Sequence, residues 1–267
     1  MTHKEHLEKL AEMFAKNELD ILESESEFQF ACTQCGKCCH DREDILLSPH
    51  DFYHLVRETG KEPQEIIDRY TNIYVGPQSH LTVMQLRYRE ELDGSTTCYF
   101  LGQKDGKFYC RIQESKPFVC RAFPLGRLNS FEEGKEDDKP LYFLQPGSEP
   151  GCKGAEIAQK DGIMQKVVDW LGGEEKKQWS DRYAMLFKKY SVKLLKTINF
   201  DGMRFIKSKE LINQYYNMMF TLFYLSYDFQ ADEESFLTQY EENWKRIIDL
   251  SKSLAMHPSG KLRPKLK

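Results

Sequence analysis

Four cysteines within eight residues constrain this chain more than any other feature: Cys32-Thr33-Gln34-Cys35-Gly36-Lys37-Cys38-Cys39. Thiols packed this densely oxidise or cross-link unless something holds them. Two residues between cysteines let a tight turn aim both sulfurs at one ion, and Gly36 opens backbone conformations closed to other residues. Four more cysteines follow, Cys98, Cys110, Cys120 and Cys152, and none lies beyond Cys152. An even count in a secreted chain suggests disulfides, whereas in a reducing compartment it points to metal or redox chemistry. From Met1 the chain enters an amphipathic segment with no apolar core of a secretory signal. The expectation is therefore a cytoplasmic protein in which all eight cysteines are candidate metal ligands.

Neighbouring side chains on an extended backbone point in opposite directions. Cys38 and Cys39 are thus expected to split, one toward the site of Cys32 and Cys35, the other toward a second site or the outer shell. The first three spacings match the opening of a ferredoxin run, but its fourth cysteine and following proline are absent. The spacing also runs opposite to that of radical S-adenosylmethionine enzymes. The eight thiols suffice for two four-ligand sites or for one polynuclear cluster. Thiolates around a metal leave negative charge for nearby cations to offset, and Lys37, Arg111, Arg121 and Lys153 adjoin cysteines. Among the histidines His40 is the best further ligand. His50, His54 and His80 are expected to face solvent or satisfy local hydrogen bonds. His50 and His54 stand one helical turn apart but lack the glutamate pattern of a zinc protease.

The remaining composition is that of a globular chain, 30% charged and 40% hydrophobic, with a net charge of −4. That balance gives no reason to expect nucleic acid. The longest apolar stretches, such as Met218–Leu225, are too short to span a bilayer. No phosphate loop, nucleophile triad or paired-carboxylate motif stands out.

Periodicity predicts an amphipathic helix from about Lys4 to Leu22 and a short strand at Phe28 and Phe30 leading into Cys32. It predicts a second strand at Ile45–Leu47. Ser48, Pro49 and Asp51 mark a helix start, with its stop near Gly60 and another helix over 63–74. Strand-like alternation runs from Leu81 to Tyr109, with turns at Asp93-Gly94 and Asp105-Gly106. An exposed acidic loop at 132–139 and a strand at Leu141–Leu144 follow. Beyond Ala155 helices are predicted over 155–171, 174–197, 207–228 and 232–256, their aromatics packing between helices. The fold expected is α+β. A small cysteine-rich metal-binding domain (28–154) with short strands and helices follows the amphipathic helix (1–27). An all-helical region (155–257) and a basic tail (258–267) come after it.

The cysteine blocks together are similar to a known family. Cys32-x2-Cys35-x2-Cys38-Cys39, Cys98-Tyr99-Phe100-Leu101, Gly106-Lys107-Phe108-Tyr109-Cys110-Arg111-Ile112 and Lys116-Pro117-x2-Cys120-Arg121-Ala122-Phe123-Pro124 resemble the YkgJ-like cysteine-cluster family, described as zinc- or iron-chelating. The resemblance spans about 28–154. Lys116 stands where the family usually has arginine, which keeps the charge but loses the guanidinium fork. The cysteine block also resembles, more distantly, that of flagellin lysine methylases, where it is associated with an iron–sulfur cluster. These resemblances imply metal binding, with an iron–sulfur cluster of four irons ahead of zinc. The alternatives are a structural zinc module whose helical region grips a protein partner, and a cluster-dependent protein lysine methyltransferase.

Overall fold

A computed structural model of the 267-residue chain describes residues 12–13, 16, 19–42, 45–77, 79–129, 139–145, 152–197 and 208–256. The class is α+β, with short strands in small sheets, helices between them and a helical C-terminal region. The chain forms two compact units, each assembled from separate segments. The first takes residues 1–46, 85–129 and 139–182, and the second 47–84, 130–138 and 183–267.

In the first unit, β1 (Ile21–Leu22) pairs antiparallel with β11 (Leu141–Leu144), which also pairs with β10 (Leu125–Leu128). β2 (Glu27–Phe28) pairs with β12 (Gln165–Lys166). Two hairpins follow: β6 (Tyr88–Glu90) with β7 (Thr96–Cys98), and β8 (Leu101–Lys104) with β9 (Lys107–Cys110). Their turns carry the predicted Asp-Gly pairs, and Asp105 and Gly106 both take positive φ as a two-residue hairpin turn requires. The core beneath is Phe28, Phe30, Ala122, Leu125, Tyr142, Val167 and Leu171. Trp170 closes it edge-on against Phe28 and Phe30, at 5.8 and 5.5 Å. Its indole N–H donates to the carbonyls of Ala122 and Phe123, 3.1 Å each. This ties α5 (Val167–Trp170) to α3 (Phe118–Ala122). Asp181 accepts from buried Lys177 at 2.6 Å and from the Tyr142 hydroxyl.

In the second unit, Ser48 and Asp51 form a reciprocal capping box at the start of α1 (Pro49–Thr59), with Pro49 in its first turn and Gly60 at its end. The predicted helix over 63–74 is shorter. α2 is Pro63–Tyr70, and Thr71–Val75 is β4. The β-branched and aromatic run after Tyr70 favours the strand, which joins a sheet of order β3-β5-β4 with β3 at Leu46–Leu47 and β5 at Thr82–Leu86. The long helix α6 is Glu174–Thr197, and the second unit also holds α7 (Lys209–Phe220), a π-turn at Thr221–Leu225 and α8 (Glu233–Met256). The predicted aromatic packing is found: fully buried Trp244 meets Phe223 at 4.7 Å and stacks with Tyr190, and Tyr183 packs on Tyr240.

Three other expectations need correction. The first N-terminal helix falls largely outside the described residues, but it does not reach Leu22, because Ile21 and Leu22 pair with β11. The helix over 155–171 is broken: α4 (Gly154–Asp161) stops at left-handed Gly162, and Gln165–Lys166 leave to pair with β2. The helix over 207–228 ends with the π-turn at Leu225. The acidic loop at 132–138 lies outside the described residues, and Leu141–Leu144 is a strand as expected. Among the described residues no helix is long and apolar enough to cross a membrane.

Candidate metal centre

All eight cysteines lie in the first unit, and none is in a disulfide. The first run is a shaped loop. Gln34 and Gly36 take positive φ, and Lys37–Cys39 form one 3-10 turn closed by the Cys39 N–H on the Gly36 carbonyl at 2.8 Å. A Cβ at Gly36 would stand 2.9 Å from the ring of Phe108, so only glycine lets β9 lie this close to the loop. The Phe108 N–H donates to the Gln34 carbonyl. Past the turn the chain is stitched to β7. His40 bridges Thr97, Asp41 and Thr96 exchange hydrogen bonds of 2.9 Å, and the His40 ring lies 3.1 Å from the Thr97 hydroxyl. β7 ends in Cys98, and β9 in Cys110. Cys120 sits on α3, beside the Trp170 anchor. Cys152 precedes Gly154, whose carbonyl accepts from Ala31 and where a Cβ would meet the Phe30 ring at 2.5 Å. The last cysteine is thereby pinned against the entry to the first run.

The expected divergence of Cys38 and Cys39 is overturned. Their sulfurs are 4.0 Å apart, because a 3-10 turn and not an extended backbone carries them. Their contact, burial, and the nearby Cys98 and Cys120 push the Cys39 thiol far up. Burial, with Cys98, Cys38 and Cys110, does the same to Cys120, while Lys116 draws it down. Burial raises Cys98 and so does Cys110, against the N–H groups of Phe100 and Leu101 and the charge of Arg89. Burial raises Cys152, aided by Cys35 and Cys38 and opposed by the Gly154 N–H. Thus Cys38, Cys39, Cys98, Cys110 and Cys120 form one electrostatic set, Cys152 adjoins it through Cys38, Cys35 adjoins Cys152, and Cys32 is exposed. Thiols that raise one another's pKa are crowded anions in waiting, and a bound cation reverses the sign of that interaction. Amides aimed at Cys98 and Cys152 are ready to stabilise thiolate. The donor set fits a thiophilic metal.

Sequence reasoning missed Tyr88. It is paired across the sheet with Cys98, and burial and three of the thiols push its phenol up. It also missed Arg89 as a cation acting on Cys98. The ring of His40 packs on Phe108 and contacts Thr97. In the second unit the structure brings together His50, His54 and Glu233, a trio that the sequence reading did not assemble.

Short strands and tight turns in this small unit gather the thiols into one group of candidate metal ligands. The model of the CxxCxxCC family, described as "Putative zinc- or iron-chelating domain", matches residues 31–139. This cysteine-bearing stretch is similar to that family, as the resemblance implied, and the match supports metal binding. Cys152 lies beyond the matched stretch. No curated protein and no solved structure matches the chain.

Proposed function

We propose that the first unit holds an iron–sulfur centre. Cys38, Cys39, Cys98, Cys110 and Cys120 supply the inner thiolates, flanked by Cys35 and Cys152, with Cys32 at the rim. The gathering of the thiols carries this reading: Cys38 and Cys39 touch, Cys98 and Cys120 act on Cys39, and Cys110 acts on Cys98 and Cys120. Soft thiolates suit iron–sulfur clusters and zinc alike, and the likeness of the cysteine block to that of flagellin lysine methylases favours iron. An iron–sulfur cluster supplies one-electron chemistry when bound, and holding the loops together contributes folding free energy as well. The chain's own part is to aim the sulfurs, donate amide N–H groups to them and offset their charge with Arg89 and Lys116.

Anaerobic purification with iron, zinc and acid-labile sulfide analysis tests the reading. A coloured protein containing iron and sulfide is expected, with the colour lost in Cys120→Ser and kept in Cys32→Ser. A colourless protein holding zinc and no iron overturns it in favour of a structural zinc site. The Cys38–Cys39 separation of 4.0 Å, close to the sulfur–sulfur spacing of about 3.8 Å around one zinc ion, is the observation on that side.

A further inference from the structure

We propose that His50, His54 and Glu233 form a second metal site, for one first-row divalent cation of the zinc type bound through nitrogen and oxygen. The site lies within the second unit and owes nothing to the thiols. His50 Nε2 is 2.9 Å from one Glu233 oxygen, His54 Nε2 is 2.8 Å from the other, and the two Nε2 atoms are 3.0 Å apart. Protons cannot account for all three contacts. Each Nε2 carries at most one proton, and a carboxylate carries none. Two protons at most serve three short contacts, so one pair of polar atoms is left facing without a bridge. A cation accepts a lone pair from all three groups at once. At the right angles of octahedral coordination, bonds of about 2.1 Å hold donors about 3.0 Å apart, which is the spacing found, and tetrahedral zinc would spread them to about 3.4 Å with a small outward shift of the side chains.

The surroundings keep the three groups in place. The capping box puts His50 in the first turn of α1, and His54 follows one turn later on the same face. Asp232 accepts from the Ser235 N–H and so sets the start of α8, where Glu233 stands. The His50 ring stacks on Tyr183 at 5.3 Å and tilts against Phe236 at 5.4 Å. Groups that orient ligands in this way are what metal sites use to fix ring direction. Glu233 brings the anion, Asp51 lies within charge reach of His50, and Asp232 and Glu233 within reach of Tyr53, with Arg57 as the opposing cation. Side-chain exposure is 7% for His50, 20% for Glu233 and 33% for His54. Solvent therefore reaches the site from the His54 side, where open coordination positions would take water or a small anionic ligand.

The test is a cobalt(II) titration of the full chain, purified with its cysteine centre already loaded. Saturation at one equivalent is expected, with the weak visible bands of nitrogen and oxygen ligation and no intense thiolate-to-cobalt band. Hyperfine-shifted resonances from two imidazoles are expected in the proton spectrum of the cobalt-loaded wild-type protein, which counts the histidine ligands without any variant. His54→Ala and Glu233→Gln, checked for folding by circular dichroism, should each weaken binding by more than about tenfold. Absence of saturable uptake means a hydrogen-bonded trio only and overturns the proposal. Uptake carrying a thiolate band, or unchanged binding in folded variants, overturns it equally. Iron and sulfide content stays the same throughout, so this result and that for the cysteine centre are read separately.

Discussion

Gly36→Ala isolates what the cysteine loop requires of its backbone. Gly36 has φ of 74°, a conformation that costs an L side chain about 1–2 kcal/mol. Its added methyl would meet Cδ2 and Cγ of Phe108 at 2.9 Å and Cβ at 3.3 Å. Those atoms are the root of the side chain and cannot swing away without moving β9, so overpacking adds about 1–3 kcal/mol. The total is about 2–5 kcal/mol. Gly106, in the same unit, provides the matched control: its φ is 75°, and an added Cβ there meets nothing within 4 Å. Gly106→Ala should cost the conformational part alone. Denaturant unfolding of both holoproteins, followed by hydrogen exchange at the β8–β9 amides, reads the difference, and metal content reads its effect on the centre. The loop conformation places Cys35 on one side of Gly36 and the Cys38–Cys39 turn on the other. Metal content should therefore fall in Gly36→Ala and hold in Gly106→Ala. Equal destabilisation by the two substitutions would refute the argument that close approach of Phe108 shapes the loop.

Two more outcomes follow from burial. Trp244→Ala removes a fully buried indole packed against Phe187, Tyr190, Phe223 and Tyr240; it should lower stability by about 3–5 kcal/mol in thermal or denaturant unfolding, and a loss below about 1 kcal/mol would contradict the packing described. Asp181→Ala leaves the Lys177 ammonium buried without its carboxylate and the Tyr142 hydroxyl without its acceptor. It should cost about 3–5 kcal/mol, and the double variant Lys177→Met/Asp181→Leu should recover most of that loss.

Elements governed by local chemistry were legible in the residues. Ser48-Pro49 with Asp51 specifies a helix start through its own hydrogen bonds, and Asp105-Gly106 specifies a hairpin turn through allowed φ. The long periodic stretches of α6 and α8 were equally plain. The misread elements are those decided by distant partners. Ile21 and Leu22 fit a helical pattern, yet they pair with Phe143 and Tyr142. Gln165 and Lys166 leave a helical pattern for Phe28 and Glu27. A two-residue strand carries almost no signal of its own, so only the pairing explains it. The run after Tyr70 is different, since its β-branched residues were a local warning against extending α2.

The sites follow the same division. That the thiols belong together was readable because four of them are close in sequence and density itself is chemically informative. How Cys38 and Cys39 face was misjudged, because side-chain direction depends on backbone curvature. Gly36 hinted at a turn, but only the packing of Phe108 against it shows that the turn is imposed. The trio in the second unit lies further out of reach. His50 and His54 fit a helical spacing that is common without a ligand, and their third member is 183 residues from His50. Glu233 also sits in an acidic stretch, Asp232–Glu234, which reads as a solvated surface. A carboxylate that closes a site from another helix leaves no spacing rule to find, whereas cysteines in a turn leave one. Chemistry held within a loop is therefore visible in sequence, and chemistry held between helices emerges only when their starts are brought face to face.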